Sequence, residues 1–367
     1  MTGTSPGKCM PRVTTIPTFE LENGAVLNQV AVGYERWGTL NEMGDNVIVV
    51  GHSLTSSPNA KSWWPGCIGP GKALDTDKFF VVCANVIGSP YGTISPISIN
   101  PVTGRPYGNQ LPQANIRDTV RLHKMLLDSL GVRRIAFVIG GSMGGMQALE
   151  WAYYGPDYVQ AIVPIAVGGR HTSWCIAWSE AQRQAIYADP NWKGGTYEPQ
   201  NPPQNGLAAA RMMAMVSYRS LGSFEPRFGR RRDQTGSFNV ESWIQHHGTK
   251  LVNRFDPACY VYLTRLMDTH DVARGRGSYR AALGSIMQST LAIGIRSDIL
   301  YLLEEQEELF RNIPNAELSV MEGPHGHDTF LIDQDELNET VLAWRLSKVD
   351  PFVESFSTDQ MNLSPCS

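Results

Sequence analysis

The chain has 367 residues, 42% hydrophobic and 18% charged, enough apolar material for a large core and too little charge for a disordered polymer. Its formal net charge of −4 is too small to point to nucleic acid or an anionic membrane surface as a partner. The six cysteines (Cys9, Cys67, Cys83, Cys175, Cys259 and Cys366) form no CxxC pair and no Cys/His cluster, so they read as free thiols of a reducing compartment, and no metal site is expected.

In chain order, the first residues, MTGTSPGKCMPRVTTIPTFELENG, contain no apolar leader. Strands are expected at 47–54 (VIVVGHSL) and 79–87 (FFVVCANVI), the second holding Cys83, then a helix at 116–130. A strand at 134–140 (RIAFVIG), a helix at 143–154 and a strand at 161–167 (AIVPIAV) follow. From 171 to 288 the rhythm breaks. A turn-rich connector occupies 194–206, helices are expected at 208–218 and 240–247, and no strand–helix unit repeats. The rhythm resumes with a strand at 291–295, a helix at 304–312, a strand at 317–321 and a helix at 335–345. The strands are continuously hydrophobic rather than alternating, which suits a mostly parallel sheet buried on both faces by helices. We therefore expect an α/β core domain from 1–170 and 289–367, with 171–288 inserted as a helical lid. No stretch is apolar enough for a transmembrane helix, and NLSPCS at the C-terminus carries no retention or peroxisomal address, so the cytoplasm is the expected location.

Ser142 lies in Gly140-Gly141-Ser142-Met143-Gly144-Gly145, a G-x-S-x-G pattern between a hydrophobic strand and a good helix former. The turn there must be sharp, so its flanking residues must lack bulk, and the serine would stand at a helix N-terminus where the dipole favours developing negative charge. This is the nucleophile pattern of the α/β-hydrolase fold. A serine hydroxyl needs a histidine base oriented by a carboxylate, and in this fold the order along the chain is serine, acid, histidine. Asp298, just past the strand LAIGI, is the expected acid. Two histidines follow the strand ELSVM, and His327 is chosen over His325 because Gly326-His327 precedes a helix start and can aim the ring at Ser142. His123 falls in a helix, and His246 and His247 in the lid. For the oxyanion hole, one backbone N–H is expected from Met143 and the other from Leu54, in the loop 52–57 (HSLTSS). Trp63 and Trp64 read as packing residues.

From about Phe19 to Arg345 the chain resembles the homoserine O-acetyltransferase family of α/β-hydrolase-fold enzymes. The likeness is carried by VAVGYERWGTLN, HSLTSSPNAKSWWPGCIGPGKALDT, NVIGSPYGTISPISINPVTGRPYG, IGGSMGGMQALEWA, EAQRQAI, GLAAARMMAMVSYRS, RFGRR, RFDPACYVYLT, DTHDVARGRG, SDILY and GHDTFL. SPYG, at 89–92, resembles the fungal branch, which also contains an enzyme acetylating deacetylcephalosporin C.

The resemblance implies a ping-pong transfer. Ser142 would take the acetyl group of acetyl-CoA, a co-substrate rather than a bound cofactor, with His327 as base and Asp298 as its orienting acid. The acetyl group would then pass to L-homoserine, a step of methionine biosynthesis. Arg211 would grip the homoserine carboxylate, Tyr218, two helical turns on, would share its face, Asp328 would hold the ammonium, and Thr55 would assist. A homodimer through the lid helices is also implied. Arg227, Arg230, Arg231 and Arg232 form a basic patch able to attract the phosphates of CoA. Arg231 and Arg232 read as a solvated face, and for Arg230 a structural ion pair competes with phosphate attraction as the explanation. Ser56 stands where the family usually has Gly, and the lid insertion of the long fungal enzymes is missing. Two other readings share the triad: transfer to another hydroxyl (serine or a specialised metabolite), and a serine hydrolase or esterase in which water resolves the acyl-enzyme.

Overall fold

The computed structural model describes residues 11–351. Eight strands form one sheet: β1 (Arg12–Glu20), β2 (Val26–Trp37), β3 (Val47–Gly51), β4 (Phe80–Ala84), β5 (Ile135–Gly141), β6 (Ala161–Ile165), β7 (Ser289–Ile295) and β8 (Ala316–Met321). Their order is β1-β2-β4-β3-β5-β6-β7-β8. β1 and β2 are antiparallel to each other, β2 is antiparallel to β4, and every pairing from β4 through β3 to β8 is parallel.

The parallel strands follow from the continuous apolar runs. Along β3, Val47 and Val49 enter the core on one face of the sheet, while Ile48 and Val50 enter the core on the other. β3 ends at Gly51 rather than continuing to 54, because residues 52–57 leave the sheet as a loop. The β1–β2 hairpin was not anticipated. Its strands alternate, with Val30 and Val32 buried and Val13 and Val26 exposed, and Gly24 closes the turn at φ +83° beside the Leu21 N–H to Ala25 carbonyl bond.

The helices are α1 (Ile116–Ser129), α2 (Met143–Ala152), α3 (Ser173–Tyr187), α4 (Gln204–Ser217), α5 (Leu221–Arg227), α6 (Asn239–Val252), α7 (Pro257–Asp268), α8 (Tyr279–Gly284), α9 (Leu303–Asn312), α10 (Thr329–Ile332) and α11 (Gln334–Lys348). Asn115 and Asp118 cap α1 reciprocally, which sets its start. α1 and α2 pack on the face that receives Val47 and Val49, and α11 covers the opposite face through Leu337, Val341 and Trp344. The chain between β6 and β7 runs through α3 to α8, in which α4 packs against α3, α6 and α7. α3 and α7 were not among the expected helices. Trp64 is fully buried and donates its Nε1–H to the Phe330 carbonyl at 3.0 Å, a packing role.

Candidate active site

The ends of β3, β5, β6, β7 and β8 lie side by side at the carboxyl edge of the sheet, and the loops beyond β3, β5, β7 and β8 carry the expected chemistry. Ser142 follows β5 with φ +58° and ψ −123°, a left-handed conformation that a side chain adopts only when its surroundings hold it there. They do so closely. A Cβ on Gly144 would collide with the Gly51 carbonyl, and one on Gly141 would collide with the Phe330 ring. The amide of Ser142 donates to the Ile165 carbonyl at 2.9 Å, and Ser53 Oγ donates to the Gly141 carbonyl at 3.0 Å, fastening the 52–57 loop beside the elbow.

Asp298, beyond β7, has its side chain fully buried. Its Oδ1 accepts the backbone N–H groups of Leu300 (2.8 Å) and Tyr301 (3.0 Å), leaving Oδ2 for the Nδ1–H of His327 at 2.6 Å. His327 is sandwiched by rings: Tyr301 stacks on it at 5.2 Å between centroids, with Tyr218 at 5.7 Å and Phe330 at 5.6 Å. Phe330 thus touches the base and abuts the residue before the nucleophile. His327 Nε2 is buried and has no hydrogen-bond partner among the described residues, so it is free to take a proton. Burial opposes protonation of His327, but the charge and hydrogen bond of Asp298, with Asp328 and Glu305 behind it, outweigh that and hold its pKa above the ordinary imidazole value. His325 lies apart, with Nε2 3.7 Å from Asp333. Behind the triad, Glu305 Oε2 is buried and unpartnered; burial, then the nearby Asp298, push its carboxyl up to about 7.

Neither Leu54 N nor Met143 N meets an acceptor among the described residues, as required of amides that receive an oxyanion. Thr55 is buried, and its carbonyl accepts Nη1 of Arg254 at 2.6 Å; the same nitrogen contacts Tyr91 OH at 2.7 Å.

Arg211, Tyr218 and Asp328, expected in the pocket, gather where the end of α4 meets the loop after β8. Arg211, on α4, lies over the Tyr218 ring at 5.5 Å and makes no ion pair or hydrogen bond among the described residues. Burial pushes the Tyr218 hydroxyl up to about 12, so it stays a neutral donor. Asp328 donates its N–H to the Tyr218 carbonyl (3.1 Å) and pairs through Oδ2 with Arg219 Nε at 3.3 Å. Burial raises the Asp328 pKa, and Arg219 and Arg211 pull it back. Three residues that sequence reasoning did not single out join this site: Arg219, Arg254 and Tyr301. Arginines beside aromatic residues look like surface in a sequence, and no spacing marks them.

The basic patch divides. Arg231 donates to the Phe228 and Pro226 carbonyls, Arg232 to the Gly236 carbonyl, and Arg230 lies over Phe238 with no ion pair among the described residues, so the competing ion-pair explanation finds no partner there. Cys67, Cys83, Cys175 and Cys259 are free and buried, Cys83 within β4, while Cys9 and Cys366 lie outside the described residues. Among the described residues no group of His, Cys, Asp and Glu could hold a metal ion, and no helix is long and apolar enough to cross a membrane.

Residues 46–334 match the alpha/beta hydrolase fold family. The chain is 57% identical to the homoserine O-acetyltransferase of Salinibacter ruber over 343 residues, covering 92% of this chain and 97% of that one. Among solved structures it resembles homoserine O-acetyltransferase from Bacillus anthracis (27% identity, TM-score 0.85, 92% and 98% coverage). It also resembles esterase E22 (29% identity, TM-score 0.83, 90% and 98% coverage).

Proposed function

The chain belongs to the α/β-hydrolase family, among the homoserine O-acetyltransferases, and from that premise we propose that it moves the acetyl group of acetyl-CoA to the side-chain hydroxyl of L-homoserine through an acetyl-Ser142 intermediate. The observation that supports the acceptor is an unpaired guanidinium, Arg211, over the Tyr218 ring beside His327, with Asp328, whose carboxylate pairs with Arg219, joined to Tyr218 through the backbone. A zwitterionic amino acid offers the complementary pair of charges.

In the first half-reaction Ser142 Oγ attacks the thioester carbonyl while His327 Nε2 takes its proton, and Asp298 stabilises the imidazolium. The amides of Leu54 and Met143 receive the oxyanion. Collapse breaks the C–S bond, and His327 returns the proton to the CoA thiolate. In the second half-reaction His327 takes the proton of the homoserine hydroxyl as its oxygen attacks the acetyl-serine. Collapse then frees Ser142, which recovers the proton. Arg211 binds the acceptor carboxylate, Asp328 its ammonium, and Tyr218 and Thr55 complete the wall. Helices α3 to α8 act as the lid over this chamber. The same reading makes the enzyme a cytoplasmic homodimer of the methionine pathway, acetyl-CoA being a substrate and not a resident cofactor.

Intact mass spectrometry tests the covalent step. Wild type mixed with acetyl-CoA gains one acetyl group and Ser142→Ala gains none; absence of the adduct from wild type overturns the mechanism. The likeness to an esterase favours one rival, transfer to water. CoA release that is slow alone and fast with homoserine supports the transferase, whereas equally fast release without any acceptor makes the protein a hydrolase. Release driven by serine but not by homoserine changes the acceptor.

A further inference from the structure

The lid side of the site carries more positive charge than the acceptor can use. Arg211, Arg219 and Arg227 lie near enough that the latter's charge disfavours protonation of Arg219, after burial and alongside Arg211, while Asp328 alone among the carboxylates offsets this. Three guanidinia therefore share one acid. Asp328 pairs with Arg219 and, in the proposed reaction, also receives the acceptor ammonium, while Arg211 faces the acceptor carboxylate. Arg227 is left over. It is exposed, makes no ion pair or hydrogen bond among the described residues, and its guanidinium lies over the rings of Phe228 (5.2 Å) and Trp243 (5.4 Å).

Arg227 also lines a cavity with Arg219, Ser223, Pro324 and His325. Two of its lining residues, Pro324 and His325, immediately precede Gly326 and His327 in the chain. Ser220 Oγ binds the Pro324 carbonyl at 2.5 Å, so the wall bearing Arg227 is tied to the loop bearing the base. His325 Nδ1 is buried without a partner, a second polar group there. None of Arg230, Arg231 and Arg232 lines this cavity. The cavity thus holds an unpaired cation and sits two residues along the chain from His327.

We propose that this cavity is the docking site for the phosphates of the acyl donor, with Arg227 as their cation. The inference rests on the donor being a CoA thioester, and it assigns the two uncompensated guanidinia to two anions: Arg211 to the acceptor carboxylate, Arg227 to donor phosphate. Arginine suits phosphate because its planar fork donates two parallel hydrogen bonds.

The test separates phosphate recognition from catalysis. Calorimetric binding of CoA is compared in wild type, Arg227→Met, which keeps the stem over Trp243, and Arg227→Lys, which keeps the charge. Arg227→Met should bind CoA about five- to tenfold more weakly, Arg227→Lys should recover most of the loss, and wild-type affinity should fall more steeply with salt than that of Arg227→Met. Dephospho-CoA and adenosine 3′,5′-bisphosphate identify the phosphate: a loss confined to ligands with the 3′-phosphate assigns it there, and a loss shared by dephospho-CoA assigns the diphosphate. The KM for S-acetyl-N-acetylcysteamine, a thioester without phosphates, should not move. Equal CoA affinity in wild type and Arg227→Met, or an equal loss with the phosphate-free thioester, overturns the site. If CoA binding depends on Arg227 while acetyl-CoA never acetylates Ser142, the transferase reading falls and the site stands.

Discussion

Arg254 Nη1 donates to the carbonyl of Thr55 at 2.6 Å, across a separation of 199 residues, and so pins the loop that presents the Leu54 amide. An amide contributes to an oxyanion hole only if it is already aimed before charge develops. Arg254 is accordingly a positioning residue. Arg254→Met should slow single-turnover acetylation of Ser142 about tenfold, less than the hundredfold or more that follows outright loss of an oxyanion donor. An unchanged acetylation rate in a folded Arg254→Met protein would remove it from this role.

The raised pKa of His327 sets the pH profile. His327 acts as a base only when neutral, so kcat/KM for the donor should rise with pH through an apparent pKa above 6.5, the ordinary imidazole value. Asp298→Asn removes the charge that raises it. The variant's acidic limb should move to lower pH while its maximum falls by roughly three to four orders of magnitude, the loss expected when the imidazole is held in the wrong tautomer. Initial rates across pH 5–9 decide this; a limb that does not move in Asp298→Asn would mean another group titrates.

Glu305 makes the opposite kind of prediction, about stability. Its carboxyl is pushed up to about 7, so between its ordinary value of 4.5 and 7 the folded state binds the proton more tightly than the unfolded chain does. Stability from this group is present at low pH and is lost as pH rises through 7. Glu305→Gln removes the buried charge and should raise stability at pH 8 by on the order of 1–2 kcal/mol, with little change at pH 5. Denaturant unfolding at the two pH values measures it, and an equal shift at both refutes the assignment.

Arg211→Met should raise KM for homoserine about ten- to a hundredfold, the range for losing a charge-assisted hydrogen bond, and leave donor acetylation of Ser142 unchanged. Equal effects on the two half-reactions would place Arg211 in the framework rather than in the acceptor site.

Gly144→Ala puts a methyl group against the Gly51 carbonyl, where β3 and the start of α2 touch backbone to backbone. Neither element can yield without moving Ser142, so a loss of about 3 kcal/mol is expected in denaturant unfolding. A stable, fully active Gly144→Ala would contradict the closeness of that contact.

Much of this architecture is written locally in the sequence. The strands β3 to β7 declare themselves as largely apolar runs, and Ser142 declares itself because a strained elbow needs small neighbours that a reader can see. β1 and β2 were passed over because half of each strand faces solvent, which dilutes its hydrophobic signal. The turn residues Asn23-Gly24 were the available clue. Helix α7 was hidden for the reverse reason. It is buried almost all round, so its pattern has no polar stripe to mark a helical period. Arg219, Arg254 and Tyr301 act through partners far along the chain, and only the folded arrangement supplies those distances.

The end of α4 and the catalytic loop are joined at three points: Ser220 Oγ to the Pro324 carbonyl, the Asp328 N–H to the Tyr218 carbonyl, and Arg219 to Asp328. Gly326, at φ +67°, lets the two backbones meet, since a Cβ there would lie 2.7 Å from the Arg219 carbonyl carbon. The segment that follows α4 and the loop that holds His327 are therefore one mechanical unit. A change of acceptor made by inserting or deleting residues at this seam would misplace His327 as well. Exchanging side chains on the free face of α4 would not. If Arg211 holds the acceptor as proposed, new acceptors should come to this scaffold by substitution on α4 and not by remodelling of the seam.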